Sequence, residues 1–164
     1  MGFTKGVIPT SLSVLRTFAM VVLLVGVAAC ARAPDAGLAG ANGQATPGSQ
    51  QEFLVTVGDR VFFETDSSVL TSDGQATLDK QAVWLNRYSQ FRVLIEGHAD
   101  ERGTREYNIA LGARRGAAAV NYLVSRGVSA QRISTKSFGK ERPVAVCNDI
   151  SCWSQNRRAV TVLQ

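Results

Sequence analysis

The sequence predicts an α+β fold, a two-layer β-α-β-α-β-β sandwich in which a four-stranded mixed sheet carries two main helices on one face. Three observations predict it. Four short runs rich in Val, Ile, Phe and Thr have strand character. Two longer segments repeat apolar residues at helical spacing. Strands and helices alternate, so two helices can cover one face of a shared sheet.

The elements follow in order from about Glu52. "DRVFFET", residues 59–65, is the first strand. "TSDGQATLDKQAVWLNRY", residues 71–88, is the first helix, with Ser72 or Asp73 as its cap and Leu78, Ala82, Leu85 and Tyr88 on one face. "FRVLIEGHA", residues 91–99, is the second strand. "TREYNIALGARRGAAAVNYLVSRG", residues 104–127, is the second helix. Thr104 suits its N-cap and Gly127 its stop, and Ile109, Ala113, Gly116, Val120 and Leu123 form the expected apolar stripe. "RISTKSFG", residues 132–139, is the third strand; a loop follows, and "RRAVTVLQ", residues 157–164, is the fourth. The domain so defined, residues 52–164, is long enough for one modest core.

The N-terminal third has a different character. An uncharged apolar run, Phe18 to Ala29, follows the basic residues Lys5 and Arg16. Twelve residues are too few for a stable membrane span but suit the core of a signal peptide, here residues 1–29. The run ends in Val27, Ala28, Ala29 and Cys30, which resembles a bacterial lipobox, with Cys30 as the residue to be acylated. Two or three acyl chains anchor a protein firmly where one is marginal. Residues 30–51 then form the lipidated cysteine and a tether of Ala, Gly, Pro and polar residues with almost nothing to bury. Twenty such residues span roughly 25 Å on average.

Charge and cysteines narrow the function. Removing residues 1–29 lowers the net charge from +5 to +3. That is too mild to argue for nucleic acid, and no basic stripe interleaved with aromatics appears. Cys147 and Cys152 suit a local disulfide in an oxidising compartment. With no histidine nearby they make a poor zinc site, and neither a metal nor a cofactor is expected.

The densest chemistry lies in "IEGHADERGTREYNIALGARRGAAAV", residues 95–120, around His98, the one histidine. His98 lacks a second histidine, so catalysis or metal binding is disfavoured, and a hydrogen-bonded structural role is the expectation. "SFGK", residues 137–140, matches a Ser-x-x-Lys pattern, but it follows a strand and lacks the companion motifs of penicillin-binding enzymes. A binding site is the other possibility. Asp100 and Glu101 follow the second strand, close to the N-terminal end of the next helix. Leu111 and Arg115 share one stripe of that helix, with Arg114 rotated away. An acid from the loop and an arginine from the helix make a bipolar site for a ligand bearing an ammonium and a carboxylate. Spacing alone does not separate this from a plain Asp–Arg ion pair on a solvated face.

The motifs "EGHADERGTREYNIALGARR", "VNYLVSRGV", "SFGKERP" and "NRRAV", in that order after "VFFETD", resemble the OmpA-like domain family, in particular its lipid-anchored, peptidoglycan-binding members. The resemblance covers about residues 58–164. It implies a non-enzymatic outer-membrane lipoprotein with its domain in the periplasm. Such a protein binds the meso-diaminopimelate stem of peptidoglycan non-covalently, and works with TolB and other Tol proteins in envelope integrity and cell division. It also implies ligand-binding roles for Asp100 and Arg115, with Asp66, Arg102 and Leu111 lining the same pocket. Thr65 stands where that family usually has an aromatic, Arg105 where proline is common, and the Cys147/Cys152 pair is not a general feature. A peptidoglycan hydrolase and a lipoprotein adaptor that binds only proteins are the alternatives.

Overall fold

The computed structural model describes residues 45–164, together with Gly2. The expected signal peptide, Cys30 and the tether up to residue 44 lie outside the described residues. A helical turn at Gln50–Glu52, capped by the Ser49 hydroxyl, widens into a π-type turn over Phe53–Val57. Gln50 and Gln51, expected in the tether, are thus helical. Phe53 explains why: it is fully buried and anchors the turn on Trp84. Trp84 also meets Tyr88 and Phe91, with ring centroids 4.7 to 5.1 Å apart across the cluster.

The regular elements are β1 (Arg60–Phe62), α1 (Ser72–Arg87), β2 (Val93–His98), α2 (Arg105–Ser125), β3 (Ile133–Gly139), α3 (Ile150–Asn156) and β4 (Arg158–Leu163). The sheet has the order β1-β4-β2-β3. β4 is antiparallel to both β1 and β2, while β2 and β3 are parallel, so the sheet is mixed as the sequence predicts. Val93 and Ile95 of β2 and Val61 of β1 join Leu78, Ala82 and Leu85 of α1 and Ala119 and Leu123 of α2 in the core. Among the described residues no helix is long and apolar enough to cross a membrane.

Four expectations are corrected. β1 is shorter than residues 59–65, because after Phe63 bonds the Arg157 carbonyl the chain turns away. α1 is capped by Thr71, whose hydroxyl accepts from Gly74, so the cap falls one or two residues before Ser72 or Asp73. The buried stripe of α2 is Asn108, Leu111, Gly112, Arg115, Gly116, Ala119 and Leu123, and Ala113 is exposed. This rotation follows from three glycines. A Cβ on Gly97 would collide with the Gly112 carbonyl oxygen, and one on Gly116 would come 2.7 Å from the Thr135 hydroxyl, so α2 lies directly on β2 and β3. Finally, part of the expected loop before β4 is the two-turn helix α3, capped by Asp149 and tied by a disulfide.

Candidate functional site

Two loops and one helix face build the site. The loop 99–104 leaves β2 with Asp100, whose Oδ1 accepts from the Arg102 backbone N–H at 3.2 Å in an Asx turn. Gly103 follows with φ 85°, and the Thr104 hydroxyl caps α2 by accepting from Tyr107. Lys140 fastens the loop by donating to the Glu101 and Gly103 carbonyls at 3.1 and 2.8 Å. Asn108 donates to the Arg102 carbonyl at 2.7 Å. From the opposite side the loop between β1 and α1 brings Thr65 and Asp66. Asp66 has φ 55°, the one positive φ outside glycine among the described residues, which Asp tolerates better than most.

A pocket of about 240 Å³ lies between them, lined by Thr65, Asp66, Asp100, Arg102, Tyr107 and Leu111, with Arg115 at its base. All five side chains singled out for ligand binding, Asp66, Asp100, Arg102, Leu111 and Arg115, therefore border one concavity. A larger groove of about 640 Å³ runs along β1 and the start of α1, but it includes neither Asp100 nor Arg115.

The arginine is not on a solvated face, nor is it paired with Asp100. Arg115 is completely buried. Its Nε donates to the Ser67 carbonyl at 2.8 Å, Nη1 to His98 at 2.9 Å and Nη2 to Glu64 at 3.2 Å. A guanidinium has five N–H groups, so the three carbonyls leave two of them uncommitted. Burial pushes its pKa down to about 10, while the charge of Asp100 pulls it up and Arg157 pushes it down, so it is cationic at neutral pH. The three carbonyls tie the end of β2 to the loop after β1. Arg115 thus joins the walls of the pocket and also faces into it.

Asp100 is buried and pairs with two other arginines. Arg102 reaches it through Nη2 at 2.6 Å and Nε at 3.2 Å, and Arg157 reaches Oδ2 at 3.4 Å. Burial raises the carboxyl pKa, but the hydrogen bonds from Arg102 and Arg157 outweigh it and hold the group below its usual value. Tyr107 donates its hydroxyl to Asp66, and this bond raises the phenol pKa. Arg105 pairs with Glu141 at 3.0 Å, outside the pocket.

Tyr107, Trp153 and Arg157 were not singled out from sequence. Tyr107 could have been: with Leu111 and Arg115 it forms an unbroken i, i+4, i+8 series. Trp153 had no signal, because α3 reads as a loop, and Arg157 opens the predicted fourth strand, where nothing local marks it as a partner of Asp100.

His98 is a correction. It is buried and stacked on Phe138, centroids 5.6 Å apart, but neither ring nitrogen has a hydrogen-bond partner; Glu96 is 3.5 Å from Nε2. Burial, with Arg158 and Arg142 nearby, lowers its pKa to about 4. The Ser-x-x-Lys pattern is structural. Ser137 donates to the Ile109 carbonyl at 2.7 Å, and Lys140 holds the site loop.

Opposite charges set around one concavity suit a ligand that carries both signs, and the sequence's nucleophile–base pattern is committed to carbonyls. Fold and site define a binding domain. The OmpA family profile matches residues 62–157, and the chain belongs to the OmpA family. The chain is 62% identical over 148 residues to the peptidoglycan-associated lipoprotein of Mesorhizobium japonicum, covering 87% of this chain and 88% of that one. It is 66% identical over 131 residues to the protein of the same name from Agrobacterium fabrum, covering 80% and 73%. The crystal structure of the peptidoglycan-associated lipoprotein from Burkholderia pseudomallei superposes with a TM-score of 0.65 at 40% identity, covering 68% of this chain and 96% of that one. The C-terminal domain of Helicobacter pylori MotB matches with a TM-score of 0.61 at 19% identity, covering 65% and 84%, a likeness of fold alone.

Proposed function

We propose that this chain is an outer-membrane lipoprotein whose periplasmic domain binds the diaminopimelate-containing stem of peptidoglycan without cleaving it. The observation that carries the reading is the pocket, where Asp66 and Asp100 meet Arg102 and Arg115 around about 240 Å³. The side-chain end of meso-diaminopimelate bears an ammonium and a carboxylate on one carbon. The carboxylate takes the two N–H groups of Arg115 that the carbonyls leave free, as a planar fork allows. The ammonium sits against Asp100, with Asp66 alongside. Leu111 packs on the methylenes between the two ends of the ligand. The names of the relatives from Mesorhizobium and Agrobacterium support peptidoglycan as the polymer.

Acylation of Cys30 provides the membrane end of the link, the residues between Cys30 and the domain span the gap, and the domain grips the wall. A link of this kind tethers the outer membrane to the wall, and TolB and the other Tol proteins are its partners in envelope constriction. The test is sedimentation with purified sacculi. The domain pellets with diaminopimelate-type sacculi and releases no soluble fragments. A domain that stays in the supernatant points to an adaptor that binds only proteins, and released fragments point to a hydrolase.

A further inference from the structure

Asp100 already has a full set of donors. Arg102 supplies Nη2, Nε and its backbone N–H, and Arg157 supplies a fourth at 3.4 Å. A carboxylate offers about four lone-pair sites. An incoming ammonium can bond Asp100 only if one donor leaves. The backbone N–H is fixed by its turn. Arg157 is 5% exposed and also donates to the Phe63 carbonyl at 2.9 Å. The side chain of Arg102 is 40% exposed, and its other contact is the face of Trp153, 4.3 Å from the ring centroid. Arg102 is the donor that can move.

Trp153 is a fixed wall. Its indole N–H donates to Glu101 at 2.9 Å. The preceding residue, Cys152, is bonded to Cys147 with their Cα atoms 5.6 Å apart. Asn156, at the other end of α3, bonds the backbone of Val144 and Ala145 three times at 2.7 to 3.2 Å. A guanidinium released from Asp100 keeps its cation–π contact by sliding along this ring.

We propose that Arg102 is a displaceable latch over Asp100 and a specificity-determining residue of the pocket, with Trp153 on the disulfide-tied helix as the surface it moves along. A ligand must bring its own cation to exchange for Arg102, so a carboxylate alone does not open the site. The inference rests on the reading that Asp100 receives the ligand's ammonium.

The experiment titrates the full chain in detergent with free meso-diaminopimelate, by calorimetry and by tryptophan fluorescence. The variants are Arg102→Ala, Arg102→Gln and Trp153→Phe. With the latch removed, both Arg102 variants bind roughly two- to fivefold more tightly, the range of a half-exposed ion pair. The ligand changes the emission of the wild-type chain, and Trp153→Phe abolishes that change. Weaker binding by both Arg102 variants overturns the latch and makes Arg102 an ordinary ligand contact, while the pocket reading stands. Unchanged emission at saturation also overturns it. No heat from wild type or any variant defeats the pocket reading itself, and the latch with it.

Discussion

Arg115→Lys keeps the positive charge at the base of the pocket and removes the fork. The native guanidinium holds three carbonyls, of Glu64, Ser67 and His98, at 2.8 to 3.2 Å, in a fully buried position. A lysine ammonium is a single point on a flexible stem and reaches at most one of them in good geometry. Two charge-assisted bonds are lost, at about 1.5–3 kcal/mol each. The expected loss is therefore about 3 kcal/mol or more, against a total stability of about 5–15 kcal/mol for a domain. Urea unfolding, followed by the emission of the buried Trp84, is the assay. With a slope of about 1–3 kcal/mol per molar, the midpoint falls by roughly 1–3 M or more. A midpoint within about 0.3 M of wild type would refute the claim that Arg115 braces the pocket walls. It would leave Arg115 as a ligand contact only.

Other outcomes follow from the same geometry. His98 is neutral in the fold, with a pKa of about 4, but titrates at about 6.5 when unfolded. The unfolded chain then binds the extra proton, so stability falls as pH drops from about 6.5 towards 4, by up to about 3 kcal/mol. His98→Gln flattens that part of the profile, and an unchanged slope would rule out His98 as its source. Gly97→Ala forces a methyl group onto the Gly112 carbonyl and lowers stability by about 1–3 kcal/mol or more in thermal unfolding, whereas Ala113→Ser on the exposed face of α2 is nearly silent. Thiol labelling of the folded, unreduced domain finds neither Cys147 nor Cys152 free, and rapid labelling of both would show that they are not bridged. Mass spectrometry of the mature chain finds Cys30 acylated and N-terminal, while an unmodified Cys30 would remove the lipid anchor.

The sheet and both long helices were legible because each carries an uninterrupted period: Val93 and Ile95 alternate inward, and Leu78, Ala82 and Leu85 repeat at helical spacing. Position alone, after a strand and along a helix, made an acid–arginine site a candidate at Asp100 and α2, and the resemblance to the OmpA-like family singled out Arg115. The surroundings of the two residues were not legible. A pattern reading treats Arg and Asn as outward-facing, so it turned the stripe of α2 away from Asn108 and Arg115, both buried. It also supplied no partner for Asp100, since Trp153 sits on a helix of seven residues held by a disulfide and a cap rather than by an apolar stripe, and Arg157 closes that helix just before β4. His98 was expected to be hydrogen-bonded; burial against Phe138 is a tertiary outcome that no local spacing encodes.

The measurement that tests the pocket most directly is calorimetry of the chain with two stem peptides that differ only at the third residue, meso-diaminopimelate or lysine. Lysine keeps the ammonium that Asp100 takes and lacks the distal carboxylate, so the free N–H groups of Arg115 go unpaired. A lost charge-assisted bond of about 1.5–3 kcal/mol predicts binding weaker by roughly ten- to a hundredfold for the lysine peptide. Equal affinity for the two would contradict the bipolar pocket and return Arg115 to a structural brace.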